Sequence, residues 1–272
     1  MSLKAMCNHT AQYDATANRF GAISESHRLA IAQMKKFHLG LKADYKILDL
    51  GVGNGALLQK LHQEMPLASF TGIDVCGEML KQAQKALPLT TIEGNAIEAE
   101  RFLPPHSQDL VLAHFINAFI PINSLFNEAR LLTRANGHFS LITTTYDSFP
   151  RAQELLAQFI AKDSILSTVI GHYYKSMVKN STVAANKEEL LLSFQRNQFE
   201  VIAHERLEIP MCLNTIDDLA LFGIDGTWFL NSLSIRMLPK YFLIQRLKRL
   251  FTKIFTFPYY DTHIIDVVLA KK

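Results

Sequence analysis

Hydrophobic and polar positions follow two alternating patterns along most of the chain. Short apolar runs rich in β-branched residues predict buried strands, and longer stretches with apolar positions every three or four residues predict helices between them. The predicted strands are 46–50, 69–74, 90–93, 109–113, 138–145, 199–209 and 263–270. Strands that alternate with helices are typical of βαβ units, so we expect an α/β fold with a parallel sheet and helices on both faces.

The spacing of these elements also predicts how the chain is organised. Some fifty residues separate the last two predicted strands, which is far more than a connection within a sheet requires. We therefore expect an inserted helical cap at 211–258. The remaining expected parts are a helical lid at 1–40, a core at 41–210 and a final core strand at 259–272.

Composition and charge narrow the class of protein. With 272 residues, of which 49% are hydrophobic and 19% charged, the chain is rich enough in apolar residues to exclude a disordered protein. Six basic residues and no acidic ones fall between Asn231 and Phe257, and the rest of the chain is slightly acidic. The positive field is therefore local, and a nucleic-acid partner is not predicted.

Cysteine content and the absence of sorting signals favour a cytoplasmic location. The three cysteines show no CxxC pair, which is typical of reduced thiols in a cytosol. The first residues lack the apolar region of a signal peptide, and no apolar run reaches the length of a transmembrane segment. The histidines show no metal-binding motif, so no metal is expected.

A glycine-rich loop follows the first predicted strand in the segment Ile47-Leu-Asp-Leu-Gly-Val-Gly-Asn-Gly-Ala56. Glycines in such a loop let a ligand approach the backbone, and the following helix offers free N–H groups. The spacing fits a dinucleotide site of the Gly-x-Gly-x-x-Ala type, with Asp74 placed to hold a ribose. It equally fits an Asp-x-Gly-x-Gly-x-Gly loop that begins at Asp49.

The second pattern resembles motif I of the class I S-adenosylmethionine-dependent methyltransferases, and further motifs follow in order. The chain resembles that family in segments 70–80, 92–96, 108–115, 127–139 and 188–202, so the resemblance covers residues 46 to about 205. It implies a Rossmann-like, seven-stranded, mostly parallel sheet and S-adenosylmethionine as the cofactor. The chain departs from the family where Asn95 replaces the usual Asp and Asn136 the usual Gly.

The resemblance implies roles for individual residues. Asp74 is expected to bind the ribose hydroxyls, and Asp49 to orient the loop or the methionine amino group. Asn95 is expected to accept a hydrogen bond from the adenine amino group. The other expected cofactor contacts are Gly51, Gly53 and Gly55 in the loop, Val75, Ala96 and Phe115 around the adenine, His114, and Tyr13 at the methionine carboxylate.

His114 follows the fourth strand and has two possible roles. Its imidazole can act as a general base on an acceptor hydroxyl, or its backbone can contact the cofactor while the ring packs in the core. Tyr146 and residues 172–174 are further candidates to face the acceptor, although a structural role is open for each.

The segment 239–255 predicts an amphipathic helix with basic residues opposite its apolar face. Packing of this helix on the core, an acidic carrier protein, an anionic acceptor and a peripheral membrane surface all fit that pattern. The expected function is the transfer of a methyl group to an oxygen or carbon atom of an acceptor that is small or lipid-like. An acceptor attached to a carrier also fits this expectation. A nicotinamide-dependent oxidoreductase and a non-catalytic relative that binds S-adenosylmethionine remain the alternatives.

Overall fold

The computed structural model describes residues 21–38, 44–117, 119–162, 164–179, 181–225, 245 and 248–272. The strands are β1 (Lys46–Leu50), β2 (Ser69–Asp74), β3 (Thr90–Glu93), β4 (Gln108–His114), β5 (Thr133–Thr143), β6 (Glu200–Leu213) and β7 (Tyr259–Lys271). The α-helices are α1 (Gly21–His38), α2 (Ala56–Glu64), α3 (Gly77–Ala86), α4 (Ile122–Leu132), α5 (Pro150–Ile160), α6 (Ile165–Lys179), α7 (Lys187–Arg196) and α8 (Ile216–Asp225). A short 3-10 helix spans Ala96–Arg101.

The seven strands form a single sheet in the order β3-β2-β1-β4-β5-β7-β6. The pairs from β3 to β5 are parallel, and β7 pairs antiparallel with both β5 and β6. The predicted α/β, Rossmann-like, mostly parallel sheet is therefore confirmed. Strand order reverses at β1, since β2 lies on one side of it and β4 on the other, and open α/β sheets bind ligands at such a switch point.

Two apolar layers cover the sheet. On one face, Phe126 of α4 and Phe194 of α7 pack with Phe139 of β5, and the rings of Phe126 and Phe194 lie 4.7 Å apart. On the other face, Ala30 and Met34 of α1 are fully buried in a layer that includes residues of α2, β1, β4 and β7. Helix α1 therefore belongs to the folded core of the described chain, and its position sets one wall of the site below.

A buried charged network joins β5, β6 and β7. The Asp266 carboxylate is inaccessible to solvent and lies 2.8 Å from Nε2 of His204 and 3.2 Å from the Arg206 guanidinium. Arg206 also contacts Asp147 at 2.6 Å, just beyond the end of β5. Each buried charge thus has a partner of opposite sign or a hydrogen-bond donor, which offsets part of the cost of removing it from water.

The prediction that the sixth strand stops at Pro210 is wrong, because β6 continues to Leu213 and pairs with β7 along that length. Proline is tolerated there because β6 is the edge of the sheet, where one side of the strand needs no donors. The expected start of the cap at residue 211 therefore falls inside a strand. The predicted 239–255 helix lies largely outside the described residues, although 248–251 are helical.

The described part of the cap packs against the core. Phe251, Ile254 and Phe255 are buried in a cluster with Phe222 of α8 and Phe159 of α5. This packing supports the first of the four explanations offered for the amphipathic segment. Lys248 also forms an ion pair with Asp217 of α8.

Two further expectations can be compared with the structure. Cys76 is disulfide-bonded, so the expectation of reduced thiols is wrong for this residue, whereas Cys212 is free and exposed. No helix in the described ranges is both long and apolar enough to cross a membrane.

Candidate cofactor site

A cavity opens at the carboxyl edge of the sheet, where β1, β2 and β4 end. Its empty volume is about 1120 Å³, including its opening to solvent. It is lined by residues that follow β1, β2, β3 and β4 and by one face of α1. The lining residues are His27, Ile31, Asp49, Gly51, Val52, Gly53, Asn54, Ala56, Leu57, Asp74, Val75, Gly94, Asn95, Ala96, His114, Phe115, Ile116, Phe119 and Ile120.

Asp74 ties the glycine loop to the end of β2. One carboxylate oxygen accepts a hydrogen bond from the Gly53 N–H at 2.9 Å, and the other accepts one from the Cys76 N–H at 2.9 Å. Burial raises the pKa of Asp74, and these backbone N–H groups act in the opposite direction. The carboxylate therefore has a structural role in addition to the predicted contact with a ribose.

Asp49 lies deeper in the cavity wall, on β1, and is 3% exposed. Burial, reinforced by the charge of Asp74, raises the pKa of Asp49 to about 7. A carboxyl group whose pKa lies near 7 loses its proton readily when a cation is placed beside it, because the cation favours the ionised form. This titration makes Asp49 a candidate functional group rather than a solvated acid.

Glycine is present at the three loop positions for different structural reasons. A Cβ at Gly53 would meet nothing within 4 Å, so this backbone faces the open cavity. A Cβ at Gly51 would lie 2.4 Å from the Ile116 side chain, and one at Gly55 would lie 2.9 Å from Ala83. Gly55 therefore serves the packing of α2 on α3 and is not among the residues that line the cavity, so its cofactor contact stays a prediction.

The remaining predicted residues are placed as follows. Val75 and Ala96 line the cavity, as does Asn95, whose side-chain oxygen accepts a hydrogen bond from the Ile97 N–H at 3.3 Å and so caps the 3-10 helix. Tyr13 lies outside the described residues. Tyr146 lies 6.4 Å from Tyr174 between ring centroids, and neither residue lines the cavity.

The ring of His114 is buried. Its Nε2 lies 3.0 Å from the Ser140 hydroxyl, and burial, with His38 nearby, holds the pKa of His114 well below its usual value. A neutral ring in this setting has little capacity to take up a proton at pH 7. Sequence reasoning missed His27, which α1 brings into the cavity and whose ring centroid lies 4.1 Å from that of Phe115.

The lining fits an adenosyl cofactor. Gly53 leaves the backbone accessible, the Asp74 carboxylate is positioned at the end of β2, and apolar residues such as Val75 and Ala96 are available for a flat base. Among the described residues, no group of three His, Cys, Asp or Glu side chains is arranged to hold a metal ion.

Comparisons with known proteins agree with this geometry. Residues 47–137 match the family model described as a methyltransferase domain. A trans-aconitate 2-methyltransferase from Afipia carboxidovorans is 35% identical over 77 residues, covering 28% of this chain and 29% of that protein. The chain matches well under half of that relative's length.

Solved structures extend the similarity to most of the chain. The YcgJ protein from Bacillus subtilis aligns with a TM-score of 0.57 and 14% identity, covering 90% of this chain and 99% of that one. Geranyl diphosphate C-methyltransferase from Streptomyces coelicolor A3(2), solved with Mg²⁺, geranyl diphosphate and S-adenosyl-L-homocysteine, aligns with a TM-score of 0.50 and 13% identity, covering 92% and 82%. At this identity, the likeness concerns the fold. Residues 47–137, about a third of the chain, thus contain a segment similar to the methyltransferase-domain family, set in a sheet of the topology that the solved structures share.

Proposed function

We propose that this chain is an enzyme that transfers a methyl group from S-adenosylmethionine to oxygen or carbon of a small acceptor with a substantial apolar part. The observation that carries the proposal is the open backbone at Gly53 beside the Asp74 carboxylate, at the edge of the sheet where β1 and β2 end. Such an arrangement suits a nucleoside with a vicinal diol.

The cofactor would be held along this edge by residues of successive strands. Asp74 would accept hydrogen bonds from the ribose hydroxyls, while Val75, Asn95 and Ala96 would enclose the adenine. Asp49 and the Gly51 backbone would face the methionine part. When bound, S-adenosylmethionine supplies an activated methyl group, so the main tasks of the protein are alignment and exclusion of water.

For His114, we favour a contact through the backbone over a role as general base. The Ser140 hydroxyl already lies within hydrogen-bond distance of one ring nitrogen, and the ring is enclosed by the core. Because a backbone contact survives removal of the ring, His114→Ala should leave both cofactor affinity and turnover within a few-fold of the wild-type values. A loss of turnover with unchanged cofactor affinity would instead restore the general-base role.

The acceptor is assigned to an apolar class because of the wall that faces the glycine loop. Ile31 of α1 and Ile116, Phe119 and Ile120 after β4 provide aliphatic and aromatic surface. Binding sites with such walls select ligands by shape and apolar area. The sequence relatives are named for trans-aconitate, a small tricarboxylate, and one structural neighbour for geranyl diphosphate, which has a long apolar chain, so only the second name agrees with the apolar lining. A carrier-bound acceptor also fits a cavity that opens to solvent.

Two measurements test the proposal. Calorimetric titration with S-adenosylmethionine and with NAD compares the two cofactors that suit a glycine loop, and we expect binding of the first alone. Incubation with S-adenosylmethionine carrying a deuterated methyl group and a panel of terpenoid, quinone, phenolic and polycarboxylate acceptors, read by mass spectrometry, should label an acceptor with a large apolar part. Preferred binding of NAD would support an oxidoreductase, and cofactor binding with no labelled product across the panel would support a non-catalytic relative.

A further inference from the structure

The two ends of the cavity differ in chemistry because they follow different strands. Asp74 ends β2 and Asn95 follows β3, and both strands lie on one side of β1, whereas Phe115, which the sequence led us to expect at the adenine, follows β4 on the other side. If Asp74 binds the ribose, as proposed above, the sulfur lies beyond it over the glycine loop toward β4. This step rests on the proposed cofactor orientation.

Two aromatic rings meet at the β4 end of the cavity. His27 of α1 and Phe115 have ring centroids 4.1 Å apart, with an angle of 31° between the planes. His27 and Ile31 are one helical turn apart, and both line the cavity. The position of this pair is therefore set jointly by α1 and by the end of β4.

The backbone at Phe115 supports a functional reason for this placement. Phe115 has a φ of 58°, a left-handed conformation that is costly for a bulky residue. Its N–H donates to the Ile142 carbonyl oxygen at 2.8 Å, which holds the residue in that conformation. Strained backbone that is held by its surroundings is concentrated at ligand sites.

The charge state of the pair suits a cation. Aromatic faces attract positive charge through their quadrupole, whereas a protonated imidazole would repel it. Burial lowers the pKa of His27 to about 4, so the ring is neutral at pH 7. Asp49 supplies a carboxylate to the same cavity.

We propose that His27 and Phe115 together form the contact for the sulfonium group of S-adenosylmethionine, and that this pair favours the cationic cofactor over its neutral thioether product. The thioether S-adenosylhomocysteine keeps the adenosine, the ammonium and the carboxylate, and differs by the methyl group and the charge on sulfur. The two compounds therefore isolate the interaction of the pair with the sulfonium group.

Calorimetric titration of the full-length protein with each compound tests this assignment. Phe115→Leu should weaken binding of S-adenosylmethionine about fivefold while binding of S-adenosylhomocysteine changes less than about twofold. His27→Leu should act in the same direction, and His27→Phe, which keeps a neutral ring, should retain wild-type preference. Phe119→Leu is the matched control, because Phe119 lines the same cavity outside the pair and should show no selective loss.

The outcomes separate this inference from the proposed function. Equal losses for both compounds, no loss for either, or the same selective loss in Phe119→Leu would overturn the assignment to the pair. If Phe115→Leu does not fold, as judged by circular dichroism, the comparison of His27→Leu with His27→Phe decides the question. A wild-type protein that binds neither compound would instead refute the cofactor site itself.

Discussion

Binding of S-adenosylmethionine should depend on pH through Asp49. This carboxyl group is 3% exposed, and burial together with the charge of Asp74 raises its pKa to about 7. About half of the unliganded molecules therefore carry a protonated Asp49 at pH 7. The cofactor brings positive charge into the same cavity, so binding favours the ionised carboxylate and releases a proton.

The expected magnitude follows from the titration of this one group. The ionised fraction rises from about 9% at pH 6 to about 91% at pH 8 for a pKa near 7. If the cofactor binds only the ionised form, its association constant should rise about tenfold over this range, or ~1.4 kcal/mol in binding free energy. The Asp49→Asn variant should bind more weakly at pH 8 and should lose this slope.

Isothermal titration calorimetry at constant ionic strength provides the assay. Measurements in two buffers with different enthalpies of ionisation count the protons released, and the wild-type protein should release about half a proton at pH 7. Equal affinities of the wild-type protein at pH 6 and pH 8 would refute this reasoning. A pH slope that persists unchanged in Asp49→Asn would assign the titration to another group.

Three further predictions concern the loop and the lid. Asp74→Ala removes the acceptor of the hydrogen bonds from the Gly53 and Cys76 N–H groups as well as the proposed ribose contact. Calorimetry should therefore show at least about tenfold weaker binding of S-adenosylmethionine. An unchanged Kd would reject the ribose assignment. Gly51→Ala places a Cβ 2.4 Å from the Ile116 side chain at a residue whose φ is 84°. Thermal denaturation should therefore show a lower Tm, which the second substitution Ile116→Ala partly restores. A Tm equal to that of the wild-type protein would show that the loop accommodates the Cβ without strain. His38 is buried in α1 with neither ring nitrogen hydrogen-bonded to any residue that the structure describes, and burial, then His138, lowers its pKa to about 4. Since a depressed histidine pKa makes stability fall as pH drops from about 6.5 toward 4, His38→Leu should raise the Tm more at pH 5 than at pH 7.5, and an equal change at both would contradict this.

Asp49 also connects function to stability. Because its pKa is higher in the folded protein than in the unfolded chain, its favourable contribution to folding is present at low pH and is lost as pH rises through about 7. Cofactor binding in the proposed orientation would offset this cost by placing a cation beside the ionised group. Ionised Asp49 therefore destabilises the folded protein, which favours a role for this residue in ligand binding over a role in folding.

The parts of the fold that depend on local sequence were predictable. Strands β1 to β3 have the predicted bounds, because each is a short apolar run ended by a polar or glycine-rich turn. The end of β6 was not predictable in this way, since Pro210 is tolerated only because β6 lies at the sheet edge. That position is a property of the assembled sheet.

The candidate site was likewise predictable only where it depends on local sequence. The order of Asp49, the glycine loop and Asp74 along the chain was enough to place them together, because parallel strands end at the same edge of a sheet. The contribution of His27 was missed, since it requires α1 to pack across β6 and β7 so that the His27 ring meets that of Phe115. A clue was available in the helical spacing of His27, Ile31 and Met34, which predicts that these residues share one face. The use of Gly51 and Gly55 for packing likewise depends on contacts with Ile116 and Ala83, far along the chain.

A crystal structure of the protein with S-adenosylmethionine bound would show where the cofactor lies. We expect the ribose hydroxyls within hydrogen-bond distance of the Asp74 carboxylate, the backbone of Gly53 against the ligand, and the sulfur directed toward Phe115. Electron density for the ligand at any other position, or a cavity that stays free of ligand at saturating concentration, would contradict this expectation.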